Sequence, residues 1–352
     1  MKNTSRLIFA TILIACLCGV AQAQDDSLLN KHHPDRYIVK KGDTLWDIAS
    51  MFLNKPWLWP EIWQINPQIA NPHLIYPGDE LELVYLDGKP RLRMKAGVAR
   101  LSPRIREAPW DGAIPTIPVD AIAPFLSLPY VLNEGELDAA PYVVAFADEH
   151  IVAGAGQRIY VRSIDSDETR KYDIIRPGDA YRDAETDEIL GYEGLFIGAA
   201  ELQRTGDPAT LMVDIAEQEV LVGDRMRPAI RETGTGNFHP RAPEQPIDGA
   251  IISVLNGVSQ IGQYNIVVLD RGRIDGLSPG VVLQVDHRGE TVPDQVARSQ
   301  ATFLNRSMRE KVKLPDEAAG LLMVFRAFER VSFGIIMDAK RSIHLKDKVR
   351  NP

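Results

Sequence analysis

Arg36-Tyr37-Ile38-Val39-Lys40-Lys41-Gly42-Asp43-Thr44-Leu45-Trp46-Asp47-Ile48-Ala49 opens a stretch that ends in Leu74-Ile75-Tyr76-Pro77-Gly78-Asp79-Glu80-Leu81-Glu82-Leu83. Tyr37 and Val39 alternate with Arg36, Ile38 and Lys40, the period of a half-buried strand, and Gly42 breaks it. Asp43 and Thr44 are acceptors suited to capping the helix that Leu45, Ile48, Ala49 and Phe52 outline at three- and four-residue spacing. A second helix is expected from about Pro60, a tolerated first-turn proline, to Asn66, where Asn66-Pro67 stops it. After a turn-rich connection, Leu81 and Leu83 alternate with acids in a closing strand, Glu80 to Val84. The predicted order is strand, helix, helix, strand.

This stretch resembles the LysM module, a small carbohydrate-binding domain of proteins that hold peptidoglycan or chitin. The resemblance rests on Tyr37 to Ala49, on Asn66-Pro67 and Asn71-Pro72, and on Leu74 to Asp79, and it covers about a seventh of the chain. A tryptophan-rich segment, Lys55 to Trp63, lengthens the link between the helices relative to the simplest modules. With antiparallel end strands, the turn after the first and the turn before the last lie side by side. The resemblance implies a sugar site on Gly42, Asp43, Thr44 and Leu45 from one turn and Asn71, Ile75, Tyr76 and Pro77 from the other. Backbone groups there would bond the acetamide of N-acetylglucosamine, and Leu45, Ile75 or Tyr76 would pack on the sugar face. Gly42 and Gly78 also serve tight turns, whereas Trp46, Phe52, Trp63 and Ile65 read as core. One shallow module implies modest affinity.

Upstream, Lys2 and Arg6 precede an apolar run, Leu7 to Val20, that ends in Ala21-Gln22-Ala23. This pattern reads as a secretory signal peptide over residues 1–23. A competing reading makes Leu13-Ile14-Ala15-Cys16 a lipobox with Cys16 lipidated. Both cysteines, Cys16 and Cys18, lie in this leader, so the mature chain would have no disulfide, thiolate nucleophile or thiolate ligand. Removing Lys2 and Arg6 takes the formal net charge from −8 to −10, a poor match to nucleic acid or anionic lipid. No later run is long enough for a transmembrane helix. The expected location is the periplasm.

Residues 24–35 read as a polar spacer, 36–86 as the module and 87–140 as a proline-rich connector. The connector has a basic start, Lys89 to Arg106, and apolar residues such as Ile117 and Ile122 that must pack on something. From Pro141 the period becomes that of strands, and a duplication shows. Glu193 to Leu202, Met212 to Ile215 and Val222 to Pro228 form one series, and Ala319 to Phe328, Gly334 to Met337 and Leu345 to Pro352 its counterpart. Tyr172 to Asp179 and Gly272 to Gly280 pair as turns ahead of a strand. The expected class is α+β: a βααβ LysM module followed by two related mainly-β domains, SH3-like or OB-like, at 141–228 and 247–352, joined by a linker at 229–246.

Catalysis finds little footing. Zinc peptidases need clustered histidines, whereas His150, His239, His287 and His344 stand apart in sequence, and Ser-x-x-Lys is missing from the mature chain. The expectation is therefore a non-catalytic peptidoglycan binder without cofactor or metal, its β-domains an interaction platform for envelope proteins. The alternative is a LysM-targeted wall hydrolase using two carboxylates of the β-domains.

Overall fold

A computed structural model describes residues 28–63, 75–94, 114–117, 122, 130–164, 166–229, 238–255, 260–294 and 311–352. The expected leader, Asn66 and Asn71 lie outside them. The first unit follows the predicted order: β1 (Arg36–Ile38), α1 (Leu45–Phe52), α2 (Trp59–Trp63) and β2 (Glu80–Leu86). Thr44 caps α1 by accepting from the Asp47 amide, while the Asp47 carboxylate reaches back to the Thr44 amide, a reciprocal capping box. A short 3-10 turn, Pro56–Leu58, fills the tryptophan-rich link. β1 and β2 pair antiparallel, Tyr37 opposite Leu81, and Asp87-Gly88, both at positive φ, turn the chain into β3 (Lys89–Met94) on the far side of β2. The basic alternation Lys89, Arg91, Arg93 is thus a third strand, with Leu92 buried on its inner face.

The second unit holds β4 (Tyr130–Leu132), α3 (Glu134–Ala139), β5 (Tyr142–Phe146), β6 (Arg158–Arg162), β7 (Lys171–Arg182), β8 (Ile189–Arg204), β9 (Ala209–Ala216) and β10 (Arg225–Pro228). The third holds β11 (Asp248–Val254), β12 (Ile266–Leu269), β13 (Val282–His287), β14 (Thr291–Pro293), β15 (Lys311–Lys313), β16 (Glu317–Ala327), β17 (Ser332–Ala339) and β18 (Lys348–Arg350). Strands β11-β12-β17-β16-β13-β18 close into a barrel. In the second unit β5-β6-β9-β8-β7-β10 follows the same circuit, β8 pairing with both β7 and β9, with β4 added on β8.

The correspondence extends to single bonds. The Gly154 amide donates to Gln157 Oε1 and the Gly262 amide to Asn265 Oδ1, both at 2.7 Å. Asp224 Oδ2 accepts from the Leu221 amide and Asp347 Oδ2 from the His344 amide, both at 2.8 Å. Bridges Ala153 to Val220 and Ile261 to Ile343 occupy matching places.

Two sequence pairings need correction. Tyr172 to Asp179 is no turn ahead of a strand but the body of β7, interrupted by a bulge after Pro177, whereas Gly272 to Gly280 is a 3-10 turn and loop before β13. The glycine of β16 is also misaligned by four residues. Gly320 lies opposite Ala339, and its equivalent is Gly198 opposite Ala216, rather than Gly194. Ile151 and Val152, whose apolar pair suggests a short strand, form a bend instead, with Ile151 87% exposed.

Each unit has its own interior, and a further cluster lies between them. In β12 the Val267 and Leu269 side chains fill the barrel, while Ile266 and Val268 face outward into a core shared with Phe333, Ile335 and Met337. That outer core takes in Trp46 and Trp57 of the first unit, Ile117 and Ile122 of the connector, and Val131, Tyr181 and Leu190 of the second unit. Between the second and third units, Arg271 meets Asp183 at 3.1 Å, and the Ala184 amide donates to Asp270 Oδ2. Among the described residues no helix is long and apolar enough to cross a membrane.

Candidate functional site

The two turns that the sequence singles out do stand side by side. Gly42, at φ +94°, swings the chain out of β1 into α1, a conformation that side chains resist. Asp43 does not cap α1. Its Oδ2 accepts from the Tyr37 hydroxyl and the Lys40 amide, both at 2.8 Å, and burial, reinforced by this carboxylate, pushes the Tyr37 phenol up to about 12. Across the way, Asp79 Oδ2 accepts from the Tyr76 amide at 2.9 Å and closes Tyr76-Pro77-Gly78-Asp79. The Val39 amide donates to Asp79 O and the Gly78 amide to Val39 O, which locks this turn against the end of β1. Thr44, Leu45 and Ile75 are buried, Tyr76 is 41% exposed and Pro77 is half-buried. Asn71, the eighth expected contact, falls outside the described residues.

The groove between the turns is filled by the chain itself. Ile114-Pro115-Thr116-Ile117 threads along it. The Leu45 amide donates to Pro115 O at 2.9 Å, the Trp46 amide donates to Thr116 O at 3.1 Å, and the Ile114 amide donates to Ile75 O at 2.8 Å. Leu45 and Trp46 belong to the first turn of α1, whose amides have no partner within the helix. Their demand for acceptors, and that of the Ile75 carbonyl for a donor, is met here by the Pro115 and Thr116 carbonyls and the Ile114 amide, groups of three successive residues. Nothing in the sequence of residues 114–117 marks them as the complement of Leu45 and Ile75, because backbone bonds carry no residue code.

The LysM domain family matches residues 37–83, which span β1, both helices and most of β2. Those residues are a LysM domain. A relative, the uncharacterized protein YqbP of Bacillus subtilis (strain 168), is 39% identical over 64 residues, which cover 15% of this chain and 29% of that protein. The chain thus spans less than a third of the length of that relative.

Two constellations outside the LysM groove bring together residues far apart in sequence. His287, His344 and Asp347 meet where β13 pairs with β18; the imidazole centroids are 5.2 Å apart and His287 Nδ1 is 3.1 Å from Asp347 Oδ1. His287 and His344 are thus neighbours, contrary to their separation in sequence. Three groups of this type can hold a metal ion. Yet Asp347 already accepts from the His344 and Arg288 amides, and its equivalent Asp224 closes the same turn while pairing with Arg176 at 2.8 Å. The carboxylate is a turn-closing group in both units. The second constellation is a cleft lined by Asp179, Tyr181, Asp183, Asp187 and Glu193. Burial, with Asp179 adding to it, raises the Glu193 carboxyl above its ordinary range.

Proposed function

We propose that this protein binds the glycan strands of peptidoglycan through its LysM domain in the periplasm of a Gram-negative bacterium, exported by the leader read at residues 1–23. The two β units, whose six-strand closed circuits suit SH3-like or OB-like barrels, serve as a non-catalytic platform for envelope proteins. One observation carries the glycan reading. The LysM groove sets two amide donors, Leu45 and Trp46, opposite one acceptor, Ile75 O, and an N-acetylglucosamine acetamide has the carbonyl and the N–H to satisfy both sides. Tyr76, exposed at the rim, adds an aromatic face for the sugar ring. Co-sedimentation with intact and peptide-stripped sacculi tests this. Binding to both that soluble N-acetylglucosamine tetramers compete away, with Tyr76→Ala weakening it, supports the reading; binding that the tetramers leave untouched overturns it.

The Asp179 and Glu193 cleft favours a second reading, in which the Glu193 carboxyl, its proton affinity raised by burial, works with the neighbouring Asp179 to cleave the glycan. Release of muropeptides in the same incubations, lost in Glu193→Gln, would establish it. On the first reading no fragments appear and that variant binds as the parent does.

A further inference from the structure

We infer that the Ile114–Ile117 segment is an intramolecular competitor of the glycan: the LysM groove holds either this strap or a sugar chain, and binding at the wall requires the strap to leave. The inference rests on the glycan reading above and adds its regulation.

The strap occupies the groove by the chemistry that an N-acetyl group would use. A peptide unit and an acetamide are the same functional group, a secondary amide with one carbonyl acceptor and one N–H donor. The Pro115 and Thr116 carbonyls satisfy the Leu45 and Trp46 amides, and the Ile114 amide satisfies the Ile75 carbonyl, so every backbone group argued to read the sugar is already bonded. Sugar and strap cannot share them.

The strap is anchored at both ends in apolar cores. Ile114 is buried with the LysM core residues Leu45, Ile75 and Leu81, and Ile117 is fully buried in the core shared with Val268 and Phe333 of the barrel. Its middle is a poorer fit. Thr116 is fully buried, yet among the described residues its Oγ1 has no hydrogen-bond partner. A hydroxyl stripped of water without compensation is a standing penalty against the closed form. A groove that had evolved only to seat this segment would gain by having valine there.

The arrangement also joins the groove to the rest of the molecule. The Tyr264 hydroxyl of the barrel reaches Asp47 Oδ1 at 3.4 Å, on the residue next to Trp46, and Trp46 itself packs into the shared core. Whatever loosens the barrel face from α1 also loosens Ile117. A partner seated on that face would therefore favour the open groove, because strap and partner would compete for one apolar surface.

The test uses the full chain in three forms: the parent, Thr116→Val, and a chain carrying Ile114→Gly, Pro115→Ser, Thr116→Gly and Ile117→Ser. Each is titrated with the N-acetylglucosamine tetramer, and hydrogen exchange is followed at the Leu45 and Trp46 amides. Apparent affinity scales with the fraction of chains whose groove is open. The expected order is the four-fold variant tightest, by about tenfold or more over the parent, and Thr116→Val weakest, with the parent amides protected and those of the four-fold variant exchanging freely. Equal affinity of all three folded forms, or rapid exchange of both amides in the parent, overturns the competition while leaving the glycan reading intact. Absence of binding by every form, including one whose Leu45 and Trp46 amides exchange freely, overturns the glycan reading itself. Should the four-fold variant fail to fold, the Thr116→Val comparison still decides: affinity equal to the parent's counts against the strap.

Discussion

Thr44 and Asp47 show how one side-chain exchange commits a helix. The pair satisfies the amides of Thr44 and Asp47 reciprocally, and the two side chains bond each other at 2.8 Å. Thr44→Ala should cost about 1 kcal/mol of LysM-domain stability, the usual worth of an N-cap, read from urea melts followed by tryptophan fluorescence. Asp43, one position earlier, looked equivalent in sequence, but the Tyr37 hydroxyl and the Lys40 amide draw its carboxylate backward. A different kind of residue effect operates between the second and third units. The Thr186 and Glu185 amides and Arg271 hold the Asp183 carboxyl at about 2, below its ordinary value. A depressed carboxylate contributes stability that is complete above its unfolded value near 4 and is lost as pH falls toward 2. Asp183→Asn should therefore lower stability by about 2 kcal/mol at neutral pH, with the gap closing between about pH 4 and pH 2 in parallel denaturant titrations.

At the scale of elements, the duplicated units are held to one plan by a few close approaches. A Cβ on Gly198 would stand 2.1 Å from Ile215 O, and one on Gly320 would stand 2.2 Å from Asp338 O. Both glycines sit where the paired strand bulges, so that its carbonyl leans inward. Gly198→Ala and Gly320→Ala should each destabilise their unit by about 1 to 3 kcal/mol, seen as a lowered denaturation midpoint with unchanged slope. The duplication itself was legible, since β9 with β17 and β10 with β18 carry matching apolar and turn residues. Its register over β8 was not, because Gly, Ala and Leu recur there at several offsets and any of them aligns. β7 was missed for a related reason: Pro177-Gly178-Asp179 has turn composition, and tertiary pairing with β8 absorbs it as a bulge within one continuous strand. Within the LysM domain the local rules sufficed. Thr44 capping, helical spacing and alternation agree there, and the two turns that carry the seven described candidate residues stand side by side. The occupant of that groove was not legible, since backbone-to-backbone recognition leaves no trace in side-chain type.

At the scale of the whole molecule, the question is whether the LysM domain is a tethered sugar hook or part of one body with the barrels. The tryptophan-rich link decides it. Trp59 and Trp63 belong to the LysM core, but Trp46 and Trp57 are buried against the outer face of the barrel, among Val268, Phe333 and Met337. An insertion that lengthens a loop normally adds only exposed surface; this one adds a large apolar anchor aimed at another unit. The outward residues of β12 explain why the barrel accepts it. Ile266 and Val268 are as buried as the inward Val267 and Leu269, so an unaccompanied barrel would expose an apolar stripe. The units thus complete one another. Trp57→Ala should remove about 3 kcal/mol or more of coupling and convert a single unfolding transition into two, the LysM domain melting apart from the barrels in calorimetry. It should also loosen the strap, because Ile117 belongs to the same buried core as Trp57, so sugar affinity rises as the units uncouple. A Trp57→Ala chain that still unfolds in one step, with unchanged affinity, would mean that the shared core does not carry the coupling. The contacts that join the LysM groove to the barrel would then be packing alone.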